Sequence, residues 1–232
     1  MKLNGEYIND DWRNVLKHFP DNHFSIAIVD PPYFVGPDKR GFYGSDISAK
    51  KVKRKRYMIL DWGDEIPTNE YYKELCRVSK DQIIWGINYF EFSGNVPGRI
   101  IWDKCNGQSS FSDCEIASCT KHNSTRLFRY MWNGMMQGKS IKEGHRQQGN
   151  KKLNEKKIHQ TQKPVNLYKW LVMRYTNAGD TILDTHVGSA SSLIAYEAAG
   201  LEYMGIEKNE EMYNKSLARL HEYVQANELT LF

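Results

Sequence analysis

Short apolar runs alternate with helical repeats along most of the chain. The run FSIAIVD, Phe24 to Asp30, is almost wholly apolar until it ends in an acid, and its length suits a strand buried on both faces. NEYYKELCRVS follows the helical period, with Asn69 as its expected cap and Tyr72, Leu75 and Val78 on one face. QIIWGI, RIIWDK and STRLFRYMW are rich in β-branched and aromatic residues and predict further strands. A polar stretch without clear period then runs to about Ile158. The pattern resumes with PVNLYKWLVMRYTNAGD, a helix opened by Pro164 and closed by Gly179. Strand TILD, the small-residue turn THVGSAS, a helix to about Ala199, strand EYMGIE and a last helix from about Asn209 complete the chain, the last with Tyr213, Leu217, Leu220 and Val224 at 3/4 spacing.

Strands alternating with helices predict an α/β fold: a doubly wound, mostly parallel sheet covered on both faces. In such sheets ligands lie at the carboxyl ends of the strands, where the strand order reverses. Three polar groups are expected there: Asp30-Pro31-Pro32-Tyr33, Asp184 with its turn, and Glu207. The 232 residues suit one domain, residues 1–232, with neither repeats nor a linker.

Composition narrows the picture only a little. The formal net charge is +4, but six cations crowd the seven residues from Lys50 to Arg56: Lys50, Lys51, Lys53, Arg54, Lys55 and Arg56. Such a run is either a solvated loop or a contact for a polyanion such as nucleic acid. A second basic region runs from Lys139 to Lys157. The four cysteines, Cys76, Cys105, Cys114 and Cys119, have no metal-ligand spacing, so no metal site is expected, and their scarcity fits a reducing cytoplasm. The first residues lack a signal-peptide core and no apolar run approaches membrane-spanning length, so no membrane partner is expected.

Two segments carry candidate chemistry. Asp-Pro-Pro can simply stop a strand, because proline donates no amide hydrogen and forces its predecessor into extended geometry. The tetrapeptide is nonetheless rare, and it falls where ligands bind. The segment from Asp184 to Glu207 has the physics of a nucleoside site: Gly188, Ser189 and Ala190 admit close backbone approach, the following helix presents unsatisfied amides, and Glu207 stands where an acid accepts ribose hydroxyls. A dinucleotide site and a purely structural turn are the alternatives, although the G-x-G-x-x-G of the former is missing.

Taken together, these residues resemble the β class of S-adenosylmethionine-dependent DNA amino-methyltransferases, especially small phage- and prophage-borne members. Asp30-Pro31-Pro32-Tyr33 is similar to their catalytic motif, His159 to Pro164 (HQTQKP) to their TQKP element, and Asp184 to Ser189 to their cofactor loop D-P-F-x-G-S-G. The stretches IIWGINYF, IIWDK and FRYMWNGMMQG are similar as well. The order, catalytic motif first and cofactor loop last, is the circularly permuted arrangement of that class. Thr185-His186 replaces Pro-Phe and Ala190 replaces the second glycine, which implies a variant pocket or, as an alternative, a DNA-binding module that has lost methyl transfer.

The resemblance implies a Rossmann-like methyltransferase fold and S-adenosylmethionine held by Asp184, His186, Gly188, Ser189 and Glu207 with Gln162, Lys163 and Pro164. It implies transfer to the N6 amine of an adenine rotated out of double-stranded DNA, with amino-methylation of cytosine at N4 as the alternative. Asp30 and the Pro31 carbonyl would accept the amine hydrogens, Pro32 would help fix their direction, and Tyr33 would stack on the base. The basic run would lie on DNA phosphates, and residues of about 120–158 would hold target recognition. Glu228 to Phe232, ELTLF, resembles peptides that dock on the replication sliding clamp; a terminal apolar segment packed on its own surface is the alternative.

Overall fold

The computed structural model describes residues 2–32, 66–91, 96–107, 112–159 and 161–228. Tyr33, the basic run Lys50 to Arg56, Gln160 and the last four residues of the chain lie outside them. Ten strands are described: β1 (Glu6–Asn9), β2 (Phe24–Val29), β3 (Ser79–Trp85), β4 (Arg99–Asp103), β5 (Cys114–Cys119), β6 (Thr125–Arg129), β7 (Trp132–Asn133), β8 (Met136–Gln137), β9 (Thr181–Asp184) and β10 (Glu202–Glu207). Eight form one sheet in the order β1-β10-β9-β2-β3-β5-β4-β6, while β7 and β8 make a separate hairpin. Only β5 runs against the others in the large sheet.

The alternation of side chains along β2 explains why this strand lies at the centre. Ile26 and Ile28 enter one core with Leu167, Leu171, Leu193 and Leu220, whereas Ala27 and Val29 enter the other with Trp12, Leu16, Tyr71 and Leu75. Helices α1 (Trp12–Leu16) and α2 (Asn69–Val78) therefore cover one face. Helices α3 (Val165–Tyr175), α4 (Ser191–Ala199) and α5 (Glu210–Glu228) cover the other. No described helix is long and apolar enough to cross a membrane.

Several boundaries differ from those predicted. Thr68, not Asn69, precedes α2, and α3 stops at Tyr175 because Thr176 is extended. Gly179, at φ +86°, instead serves the Asn177–Asp180 turn that leads into β9. The stretch expected as one strand after Ser124 splits into β6 and the start of the β7–β8 hairpin. Since β6 pairs with β4, the region expected for target recognition leaves the main sheet only after Arg129.

The decisive junction is β2 beside β9, paired in parallel at Ile26–Ile182 and Ala27–Leu183. From β2 the sheet extends through β3 in one direction and from β9 through β10 in the other. Asp30 and Asp184 thus arrive side by side at the carboxyl edge, where the strand order reverses.

Candidate active site

Asp30 leaves β2 immediately before Pro31 and Pro32, which lack the amide hydrogens needed to prolong a ladder. Its carboxylate meets Lys163, whose Nζ lies 2.5 Å from Oδ2. The same ammonium is 2.9 Å from Glu115 Oε2, and Lys104 Nζ is 2.6 Å from Glu115 Oε1. Acid, cation, acid and cation form one chain, and the Lys163 side chain is only 4% exposed. Burial raises the Asp30 carboxyl above its ordinary range, opposed in part by Lys163. Burial acts on Glu115 too, but Lys163 and Lys104 overcome it and hold that carboxyl at about 2. Asp30 Oδ1 is buried and has no hydrogen-bond partner among the described residues.

Glu115 escaped the sequence reading because of strand direction. It sits near the start of β5, and only the reversal of that strand carries it to the carboxyl edge, paired with Trp102 while Cys114 pairs with Asp103. Lys104 follows β4 at the same edge and lies over the Trp102 ring, 5.2 Å from its centroid.

The turn after β9 is organised by its own acids. Ser192 Oγ donates to Asp184 Oδ2 at 2.5 Å, and the His186 amide donates to Oδ1 at 3.1 Å. Burial prevails over these bonds and raises the Asp184 carboxyl to about 7. Glu207 accepts the Gly188 amide at 2.8 Å and the Asn209 amide at 2.8 Å, so it braces the turn from the end of β10. Gly188, at φ +53°, takes the left-handed conformation, and a side chain built there would meet nothing within 4 Å. The turn therefore opens onto space at the point where close approach was expected. Ala190 also takes a positive φ, +59°, at the head of α4, where glycine would be unstrained.

Thr185 and His186 keep an aromatic wall despite departing from Pro-Phe. The Tyr71 hydroxyl lies 2.6 Å from Thr185 Oγ1, which lies 2.9 Å from His186 Nδ1. The Tyr71 and His186 rings meet edge-on with centroids 5.4 Å apart. Burial lowers the His186 pKa to about 4, so the imidazole is neutral at neutral pH and presents a ring much as phenylalanine would.

The TQKP element joins these parts. Lys163, expected with the cofactor residues, places its ammonium on Asp30 and Glu115. Gln162 donates to Glu155 Oε1 at 2.7 Å and accepts the Ile158 amide at 2.9 Å, while Glu155 Oε2 accepts the Val165 amide at the start of α3. Pro164 is the extended residue that precedes this helix. Arg219 of α5 closes the network: Nη2 lies 2.6 Å from Glu155 Oε1, and Nη1 donates to the Ser189 carbonyl. Glu155 and Arg219, far apart in sequence and not anticipated from it, tie the TQKP element to the 184–190 turn. The small residues of that turn, the acid closing β10 and the open face over Gly188 fit a nucleoside cofactor.

A doubly wound sheet with a small-residue turn after one central strand and a half-buried acid after the next is the frame expected of an S-adenosylmethionine-dependent methyltransferase. The sequence matches the family model described as DNA methylase over residues 24–218. The chain belongs to this family of DNA amino-methyltransferases; it is an S-adenosylmethionine-dependent enzyme whose substrate is DNA. It is 28% identical over 234 residues to the Type II methyltransferase M2.MboI of Moraxella bovis, covering 89% of this chain and 84% of that protein. Among solved structures it is similar in fold to PvuII DNA methyltransferase (cytosine-N4-specific), with a TM-score of 0.55, 14% identity and coverage of 95% and 90%. The M1.HpyAVI-SAM complex is also similar, with a TM-score of 0.51, 19% identity and coverage of 92% and 98%.

Proposed function

We propose that this enzyme methylates the exocyclic N6 amine of adenine in DNA and that Asp30 acts on that amine directly. The observation that carries the proposal is the placement of Asp30 at the β2–β9 junction, with one carboxylate oxygen on Lys163 and the other buried without a partner among the described residues. Glu207 and the open face of the 184–190 turn would hold S-adenosylmethionine, which when bound supplies an electrophilic methyl group. Asp30 Oδ1 accepts a hydrogen bond from the target amine and favours its pyramidal, nucleophilic form. As the nitrogen takes the methyl group and becomes positive the carboxylate stabilises it, and the surplus proton passes along the same N–H to Asp30 Oδ1 and from there to solvent. The Pro31 carbonyl supplies the second acceptor. Loss of one such preorganised group typically costs about 10²–10³ in rate.

An amine inside a duplex is out of reach, so the target base leaves the stack. The β7–β8 hairpin and the short turn Lys151–Leu153 are suited to face DNA. Met135 and Leu153 are 72% and 68% exposed there, with Lys151 and Lys152 beside them. The hairpin is rooted in the site itself: the Trp132 amide donates to the Lys104 carbonyl and its indole to the Gln162 carbonyl.

Adenine is favoured over cytosine by the acid that opens the catalytic motif, since relatives that methylate cytosine usually carry serine at that position. The sheet is common to both chemistries, as its similarity to an N4-specific enzyme indicates. Transfer of labelled methyl to unmethylated genomic DNA, with the modified nucleosides resolved, tests the proposal. Wild type should yield N6-methyladenine, and Asp30→Ala should lose it while still binding S-adenosylmethionine. N4-methylcytosine as the product would overturn the choice of base, and full activity in Asp30→Ala would overturn the role of the acid.

A further inference from the structure

We propose that Lys163 and Glu115 are positioning residues for methyl transfer: Lys163 holds Oδ2 of Asp30 so that Oδ1 alone is presented to the target amine, and Glu115 holds Lys163. The inference rests on the function proposed for Asp30. Its physical basis is the unequal treatment of the two Asp30 oxygens. Oδ2 lies 2.5 Å from a lysine that is itself almost fully buried. Oδ1 is buried and accepts nothing among the described residues, a costly state for a carboxylate oxygen that an incoming N–H would relieve. A carboxylate free to rotate would divide its acceptors among several directions; one pinned at Oδ2 directs Oδ1 to a single place.

Glu115 has a different task. An ammonium bound to Asp30 alone would cancel much of the field that attracts an amine becoming positive. Shared with Glu115 at 2.9 Å, the ammonium is divided between two anions, and Asp30 keeps more of its negative potential. Lys104, 2.6 Å from the far oxygen of Glu115, fixes that acid in turn. Among the described residues, the charged and titratable groups acting on Asp30 include Lys163 from the TQKP element, Glu115 from β5, Lys104 after β4, Asp184 at the end of β9, Tyr71 from α2 and Tyr168 from α3. Lys163 favours the ionised form of Asp30 and Glu115 opposes it, so their removal must act in opposite directions.

Single-turnover methylation of DNA, followed from about pH 5 to pH 9 in wild type, Lys163→Met and Glu115→Gln, tests the inference. Its controls are thermal melting and S-adenosylmethionine affinity by calorimetry. In Lys163→Met the acid limb of the rate should move to higher pH by about 1–3 pH units. In Glu115→Gln it should move to lower pH, with a slower plateau because Lys163 then neutralises Asp30 more completely. Both variants should bind S-adenosylmethionine within a few-fold of wild type. Limbs that stay in place, or that move the same way in both variants, would overturn the inference while leaving Asp30-dependent methylation intact. So would loss of cofactor affinity in Lys163→Met with an unmoved limb, which would make the lysine a cofactor ligand. If Lys163→Met does not fold, the direction of the Glu115→Gln limb decides. Absence of transfer by wild type would overturn the proposed function and this inference with it.

Discussion

Asp184 offers a test in which stability, not activity, reports on the site. Its carboxyl is 2% exposed and titrates at about 7, against 3.8 for the unperturbed group. Because the folded-state pKa is raised, the stabilising protonated form is fully present below the unfolded pKa and is lost as pH rises through about 7. The displacement is about three pH units at about 1.4 kcal/mol each, so the buried charge costs roughly 4 kcal/mol once pH exceeds 7. Asp184→Asn keeps the acceptor for the His186 amide and removes the titration. Wild type and variant should have similar stability at or below about pH 4, and the variant should be more stable by about 2–4 kcal/mol at pH 8. Urea unfolding without S-adenosylmethionine, at steps of half a pH unit, reads this as a diverging midpoint at constant slope. A gap between the two proteins that does not change from pH 5 to pH 8 would refute the reasoning, as would an asparagine variant less stable at pH 8.

Two other perturbations probe the frame around the site. Arg219→Met removes the cation from the half-buried Glu155 and should cost about 1.5–3 kcal/mol, most of it recovered by adding Glu155→Gln; strictly additive losses in a double-mutant cycle would deny the coupling. Ala190→Gly relieves a left-handed alanine worth about 1–2 kcal/mol against a glycine entropy cost of about 0.5–1 kcal/mol, so thermal unfolding should show a small net gain; a loss above about 1 kcal/mol would mean that packing of the buried methyl prevails.

What was legible in the sequence depended on how local its cause was. Strands β2, β9 and β10 are buried on both faces; β9 and β10 end in acids and β2 is followed by one, so their apolar runs and termini identified both the central strands and the carboxyl edge. Strand β5 gave no such signal: CEIASC is partly buried over its first half, and nothing in six residues announces a reversed direction. Glu115 was missed for that reason, and Lys104 with it. The Glu155–Arg219 pair was invisible on other grounds, because a contact between residues 64 positions apart leaves no periodic trace. Resemblance located Lys163 through its motif, but its partner is set by the core that α3 and β2 share, which no local pattern encodes. His186 was legible as a departure from the family, whereas its neutrality depends on burial that only the folded chain supplies.

The central junction also governs how the molecule is built. Ile26 pairs with Ile182, and Glu6 with Met204, so the two halves of the sheet close across almost the full length of the chain. Loop closures of that span are slow, and parallel pairing offers no hairpin to nucleate them. While the chain is being synthesised, the edge of β2 that will receive β9 has no partner, an arrangement prone to pairing with other chains. Asp30 and Asp184 come together only when that gap closes. Catalytic competence should therefore appear as a late, all-or-none event in refolding, and two fragments divided in the exposed stretch near Gly149 should regain activity only on reassociation.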